Sequence, residues 1–103
     1  YISSVMADGV SGDDLRKIAI DLRSSAPKSV VALISSNDGK PVLVVATSDG
    51  AREVGVKAGA LVKIGSTILG GGGGGKDDFA QGGGTNPAKS LEAIAAISQS
   101  LLG

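Results

Sequence analysis

The clearest pattern along this chain is a pair of short apolar runs, Val30 to Ile34 (VVALI) and Val42 to Ala46 (VLVVA). Both are rich in β-branched residues and show no helical periodicity. Between them lies Ser-Ser-Asn-Asp-Gly-Lys-Pro, with Asp38-Gly39 as a turn signal. The combination predicts a β-hairpin. Because both strands are almost continuously apolar, they belong inside a sheet covered by helices. Upstream, Tyr1 to Val10 reads as a short strand ending in a turn at Asp8-Gly9. Ser11 to Ala26 reads as a helix, with Ser11 as N-cap, Asp14 three residues later, and Leu15, Ile18, Ala19 and Leu22 on one face. Pro27 stops it.

Downstream, Ala51 to Leu69 reads as a second helix whose apolar face carries Val54, Ala58, Leu61, Val62, Gly65, Ile68 and Leu69. At ~100° per residue, Arg52 and Lys63 project about 20° apart on its opposite side. Gly55, Gly59 and Gly65 weaken this helix by up to about 1 kcal/mol each relative to Ala. A segment without periodicity follows, Gly70 to Gly84 (GGGGGGKDDFAQGGG). Asn86 as N-cap and Pro87 at the first helical position then open a third helix, with Leu91, Ile94, Ala95, Leu101 and Leu102 as its apolar face. The order is β-α-β-β-α-loop-α. The fold class is α/β, a small sheet of about three strands flanked by helices.

The length of 103 residues sets one compact domain, 1–103, as the expectation. The chain begins at Tyr1, not Met, as a fragment of a longer protein would. Tyr1 and Phe79 are its two aromatic residues, so the core is built from Val, Ile, Leu and Ala. The absence of Cys and His removes disulfides, thiolate and imidazole metal sites, a His general base and a Cys nucleophile. Formal net charge is zero, so the chain is not a globally basic nucleic-acid binder. Charge is nonetheless uneven: Arg52, Lys57, Lys63 and Lys76 face only Glu53 between Gly50 and Lys76. No apolar run approaches the ~20 residues of a membrane helix, and no signal peptide is visible. A soluble, cytoplasmic module is the expectation.

The glycine segment carries the functional signal. Six consecutive glycines hold neither helix nor strand by their own propensity. Such a run is either a flexible linker or a place where bare backbone must meet a ligand or another chain. The roughly thirty residues beyond it are too few for a second core. Phe79-Ala80-Gln81 and a second Gly-Gly-Gly follow it, as in a loop shaped around an apolar anchor. Bare N–H groups in tight turns form anion sites, so the ligand class is phosphate, from a nucleotide or a nucleic-acid backbone, with Lys76 as an added charge. Gly70, Gly75 and Lys76 satisfy G-x-x-x-x-G-K. Asp77 stands where a P-loop needs Ser or Thr, however, and a helix precedes the segment where a P-loop has a strand.

The same segment resembles the glycine-rich motif of the DHH-associated domain found at the C-terminus of alanyl-tRNA synthetases. There a glycine run is followed by a basic residue, two variable positions, an apolar residue, Ala-Gln and further small residues. The counterparts here are Gly70 to Gly75, Lys76, Asp77 and Asp78, Phe79, Ala80-Gln81, and Gly82 to Gly84. The helix with Leu15-Arg16, the strand VVALI, Asp-Gly-Lys at the hairpin and the helix with Ala58-Gly59 and Leu61-Val62-Lys63 follow in a similar order. The resemblance implies a non-catalytic domain that binds the outer corner of tRNA(Ala) and supports aminoacylation and editing. It implies no cofactor in this fragment; ATP, Mg and Zn serve other domains of the full enzyme, which are also partners. DHH phosphoesterases use the related domain to bind nucleotide, typically with Gly-Gly-Gly-His. This chain has no His, which argues for the synthetase branch.

The candidate RNA-binding residues are Gly70, Gly71, Gly72, Gly73, Gly74, Gly75, Lys76, Gln81, Gly82 and Gly83, with Arg52 and Lys63. Each has a bland counterpart. Lys76 touches phosphate or is a solvated loop lysine. Arg52 and Lys63 form an RNA-facing stripe or are the wet face of an amphipathic helix, and the second is the commoner case. Phe79 stacks on a base or, preferably, plugs the loop into the core. Gln81 reads RNA or satisfies backbone groups within the loop. Asp77 and Asp78 read as a charged loop tip. Three classes of function remain open: an RNA-binding module, the nucleotide-binding half of a phosphoesterase, and a structural module joining domains or subunits.

Overall fold

The computed structural model of the chain describes residues 2–5, 9–24, 29–37 and 39–102. Pro27, Asp8 and Asp38, assigned above to a helix stop and two turns, lie outside them. The elements run β1 (Ile2–Val5), α1 (Gly12–Arg23), β2 (Val30–Asn37), β3 (Lys40–Thr47), α2 (Asp49–Glu53), α3 (Ala58–Ile68), β4 (Gly73–Gly75), β5 (Phe79–Gly83), a 3₁₀ turn (Pro87–Lys89) and α4 (Ser90–Leu102). They form a small sheet flanked by helices, the class expected from the sequence.

The sheet has five strands in the order β1-β2-β3-β5-β4. β1 runs parallel to β2, with Ile2 beside Val31 and Val5 beside Ile34. The other pairs are antiparallel. β2 and β3 form the predicted hairpin, in register from Val30–Thr47 to Asn37–Lys40. Gly39 adopts φ 75° in its turn, a conformation that glycine takes without steric cost.

The two central strands are buried on both faces, which is why their apolar runs are continuous. Val31, Leu33, Val44 and Ala46 face one way, packed with Leu15 and Ala19 of α1. Val30, Ala32, Ile34, Leu43 and Val45 face the other way, packed with Leu61 and Val62 of α3 and Ala93 and Ile97 of α4. Ser11 caps α1 as the sequence predicts, accepting from the Asp14 N–H at 3.2 Å. Asn86 caps the 3₁₀ turn through the Ala88 N–H, also at 3.2 Å.

Three readings from the sequence change. First, the segment placed in a loop is an antiparallel hairpin, β4–β5, at the open side of the sheet. Glycine propensity opposes strands, but here tertiary pairing decides: β5 lies along β3 from Val42–Gly83 to Ala46–Phe79. Second, the helix expected from Ala51 to Leu69 is two helices. Val54 to Lys57 break it, and Gly55 sits at φ 91°. The helical spacing that put Arg52 and Lys63 on one stripe therefore does not apply. Third, α4 turns Ala93 and Ile97 inward against α3 and β1, beside the expected Ile94 and Leu101, and leaves Leu91 74% exposed.

Amide exchange should be slowest at Val31–Ile34 and Leu43–Ala46, which lie beneath both helical layers. Hydrogen-exchange mass spectrometry or NMR showing faster exchange there than in β4–β5 would contradict this layering.

Candidate nucleic-acid interface

The glycine segment divides by structural role. Gly70 and Gly71 terminate α3. Gly70, at φ 82°, donates to the Thr67 carbonyl at 3.2 Å, and Gly71 donates to the Ser66 carbonyl at 2.9 Å. These are the paired bonds of a Schellman cap. Gly73 to Gly75 then form β4, the edge strand. The turn 76–78 reverses the chain, with the Lys76 N–H donating to the Phe79 carbonyl at 2.9 Å.

That turn is fastened through its backbone. The Asp77 carbonyl accepts from the Thr47 hydroxyl at 2.5 Å and from the Ala58 N–H, at the start of α3, at 2.9 Å. The Asp78 carbonyl accepts from the Thr47 N–H at 2.9 Å and from Arg23 Nη1 at 3.1 Å. A rigidly held turn thus presents the side chains of Lys76 and Asp77 to solvent.

The hairpin is close-packed on one face only. A Cβ at Gly73 would collide with Gly82 Cα and lie 2.9 Å from Val62; one at Gly82 would collide with the Ser66 hydroxyl. Helix α3 therefore rests directly on bare backbone. Gly71, Gly75 and Gly83 are likewise closed in by neighbouring chain. Gly72 and Gly74 are different: a Cβ at either would meet nothing within 4 Å. Among the described residues, nothing in the packing requires glycine at those two positions.

The open side of Gly74 is the α1 side. Gln81 is its cross-strand partner, and the Gln81 amide lies close to Gly12 at the start of α1. Phe79 also points this way and packs on the α1-side core, the plug role preferred above. Because α1 covers β2 and β3, the β4–β5 backbone projects beyond it as an uncovered shelf. A shallow groove of about 350 Å³ runs there. Gly74 and Gly75 of β4, Phe79, Ala80 and Gln81 of β5, Lys76 and Asp78 of the turn between them, and Arg16 of α1 line it.

The groove gathers Lys76 and Gln81 with the central glycines. It does not include Arg52 or Lys63. Arg52 is tied into the fold, donating to the Thr47 carbonyl and pairing with Asp49. Lys63 is exposed on α3, which packs on the opposite face of the sheet. The candidate set drawn from the sequence did not include Arg16, whose guanidinium lies 5.3 Å from the centroid of the Phe79 ring. Sixty-three positions separate the pair, and no local pattern links them. Among the described residues, no cluster of three or more carboxylates is placed to hold a metal ion, and no helix is long and apolar enough to cross a membrane.

The DHHA1 domain model matches residues 1–102. The chain belongs to the DHHA1 domain family. This DHHA1 domain is 48% identical over 99 residues to an alanine–tRNA ligase of Streptomyces avermitilis, covering 93% of this chain and 11% of the relative. It is 52% identical over 87 residues to the alanine–tRNA ligase of Paenarthrobacter aurescens, covering 82% and 10%. It thus spans about a tenth of the length of these relatives. The crystal structure of the C-Ala domain from Aquifex aeolicus alanyl-tRNA synthetase superposes with a TM-score of 0.91 at 33% identity, covering 99% of this chain and 90% of that one. The DHHA1 domain here is therefore a C-Ala domain, the C-terminal domain type of alanyl-tRNA synthetases, as the glycine motif indicated. A protein titled as a DHH-domain member of the s1p family of ribosomal proteins shares the fold alone, at 22% identity and a TM-score of 0.59.

The one-sided packing has a direct consequence for stability. Gly73→Ala should destabilise the domain by about 1–3 kcal/mol, because its methyl group meets backbone that cannot yield. Gly74→Ala should leave stability unchanged or raise it by up to about 1 kcal/mol. Urea denaturation of the two variants checks this; equal losses would mean that both faces of the hairpin are packed.

Proposed function

We propose that this domain is the non-catalytic tRNA-binding module of an alanyl-tRNA synthetase, supporting aminoacylation and editing by the full enzyme. The observation that carries this reading is the shelf on the α1 side, where Gly72 and Gly74 leave backbone bare without any packing need. Bare backbone flanked by cations suits a ligand that must approach the main chain closely and carries negative charge. Kinship with alanine–tRNA ligases supports tRNA(Ala) as that ligand, with its outer corner as the part contacted. ATP, Mg and Zn serve other domains of the full enzyme, which are the protein partners, and the setting is the cytoplasm.

Phosphate and shape dominate the contact, since Phe79 is already engaged by the core and few rings remain for base stacking. The RNA-binding set is Gly70 to Gly75, Lys76, Gln81, Gly82 and Gly83, with Arg52 and Lys63 as outlying charges. Binding by the isolated domain is weak and salt-sensitive, because few basic residues engage at once.

A tRNA titration at low salt tests this reading. Lys76→Glu should weaken binding several-fold with the fold intact, as exposed loop charges contribute little to stability. Adding charge reversal at Lys63, exposed on α3 across the sheet, should weaken it only slightly further, through long-range attraction. Gly74→Val should weaken it without lowering stability by more than about 1 kcal/mol, since the added side chain enters open space. Unchanged affinity in all three would remove RNA from this face and favour a module that joins protein domains.

A further inference from the structure

We propose that Arg16 positions an RNA phosphodiester in the α1-side groove, with Phe79 as the platform that holds its guanidinium. This rests on the tRNA-binding reading above and adds to it a residue on a different element from those already named.

Arg16 follows the buried Leu15 on α1 and is itself exposed. Its guanidinium lies over the Phe79 ring, within the ~6 Å reach of a cation–π contact. It makes no hydrogen bond or ion pair among the described residues, unlike Arg23 and Arg52, whose donors are spent on the Asp78 and Thr47 carbonyls. The ring restrains the guanidinium plane and takes up none of its N–H donors. A planar fork so held matches the oxygens of a phosphate, and it loses less rotamer freedom on binding than a free side chain. The bare Gly74 backbone lies in the same groove, so a sugar–phosphate chain can come close to Arg16 without meeting a side chain there.

Phe79 links this contact to the fold. Its ring packs on the α1-side core, and its carbonyl closes the turn beneath Lys76. The position of Arg16 is therefore set by the same residue that sets the hairpin. Asp78, at the turn end of the same groove, bounds the site electrostatically, because an anion is repelled from its side.

The test is tRNA binding by the 103-residue chain across a salt series, with thermal melts confirming that each variant folds. Arg16→Ala should weaken binding about tenfold and reduce the salt slope by about one unit, the signature of one lost phosphate contact. Arg16→Lys should keep most of the slope but not the affinity, since a point charge lacks the fork. Phe79→Leu, which keeps apolar bulk, should weaken binding about threefold. The double variant Arg16→Ala/Phe79→Leu should bind no more weakly than Arg16→Ala alone, as expected if the ring acts through the arginine. Wild-type affinity for Arg16→Lys, or additive losses in the double variant, would overturn the positioning role. Wild-type affinity for Arg16→Ala while Lys76→Glu binds weakly would overturn this inference and leave the tRNA-binding reading standing. Failure of the wild-type chain to bind tRNA at low salt would overturn both.

Discussion

The structure depends on one close approach: helix α3 lies directly on the backbone of the β4–β5 hairpin. Val62 and Ser66 sit where side chains at Gly73 and Gly82 would otherwise be. Dispersion forces fall steeply with separation, so the absent Cβ atoms are what bring the helix into contact. The same helix supplies Leu61 and Val62 to the core beneath β2 and β3. Its first turn receives the Asp77 carbonyl, and its last turn is closed by Gly70 and Gly71. One helix thus fixes the start, the turn and the packed face of a segment with no structural propensity of its own. The entropy lost in ordering so many glycines is offset by this packing and by pairing with β3.

The hairpin can have two unlike faces because it is held from one side. On the α3 side each glycine is required by sterics. On the α1 side α1 stops short, and Gly72 and Gly74 stand bare. A glycine that the fold needs and a glycine that the fold merely permits look identical in the sequence. The pattern of packing separates them: it accounts for the first kind and, among the described residues, gives Gly72 and Gly74 no structural reason to be glycine.

Much of this was legible in the sequence. The runs VVALI and VLVVA determined the central hairpin, and Ser11 and Asn86 marked their helix starts, because strand pattern and capping are local. The GGGGGGKDDFAQGGG motif identified the family. The strands β4 and β5 were not legible, since glycine propensity argues against them and only pairing with β3 creates them. The break between α2 and α3 was half-visible: Gly55 was noted as weakening a helix, but its φ of 91° ends one. Arg52 and Lys63 were joined by a helical spacing that this break removes. Arg16 was noted only within the Leu15-Arg16 pair and not as a binding residue, because its link to Phe79 is made only in three dimensions.

The central claim is that the α1-side face of the glycine hairpin is the RNA-contacting surface. The most direct measurement is an NMR titration of the isotopically labelled chain with tRNA, following backbone amides and arginine side chains. The largest shift changes should fall at Gly72, Gly74, Lys76, Gln81 and the Arg16 guanidinium, with α3 and α4 little affected. Changes concentrated on the exposed surfaces of α3 and α4, with Gly74 and Arg16 silent, would contradict it.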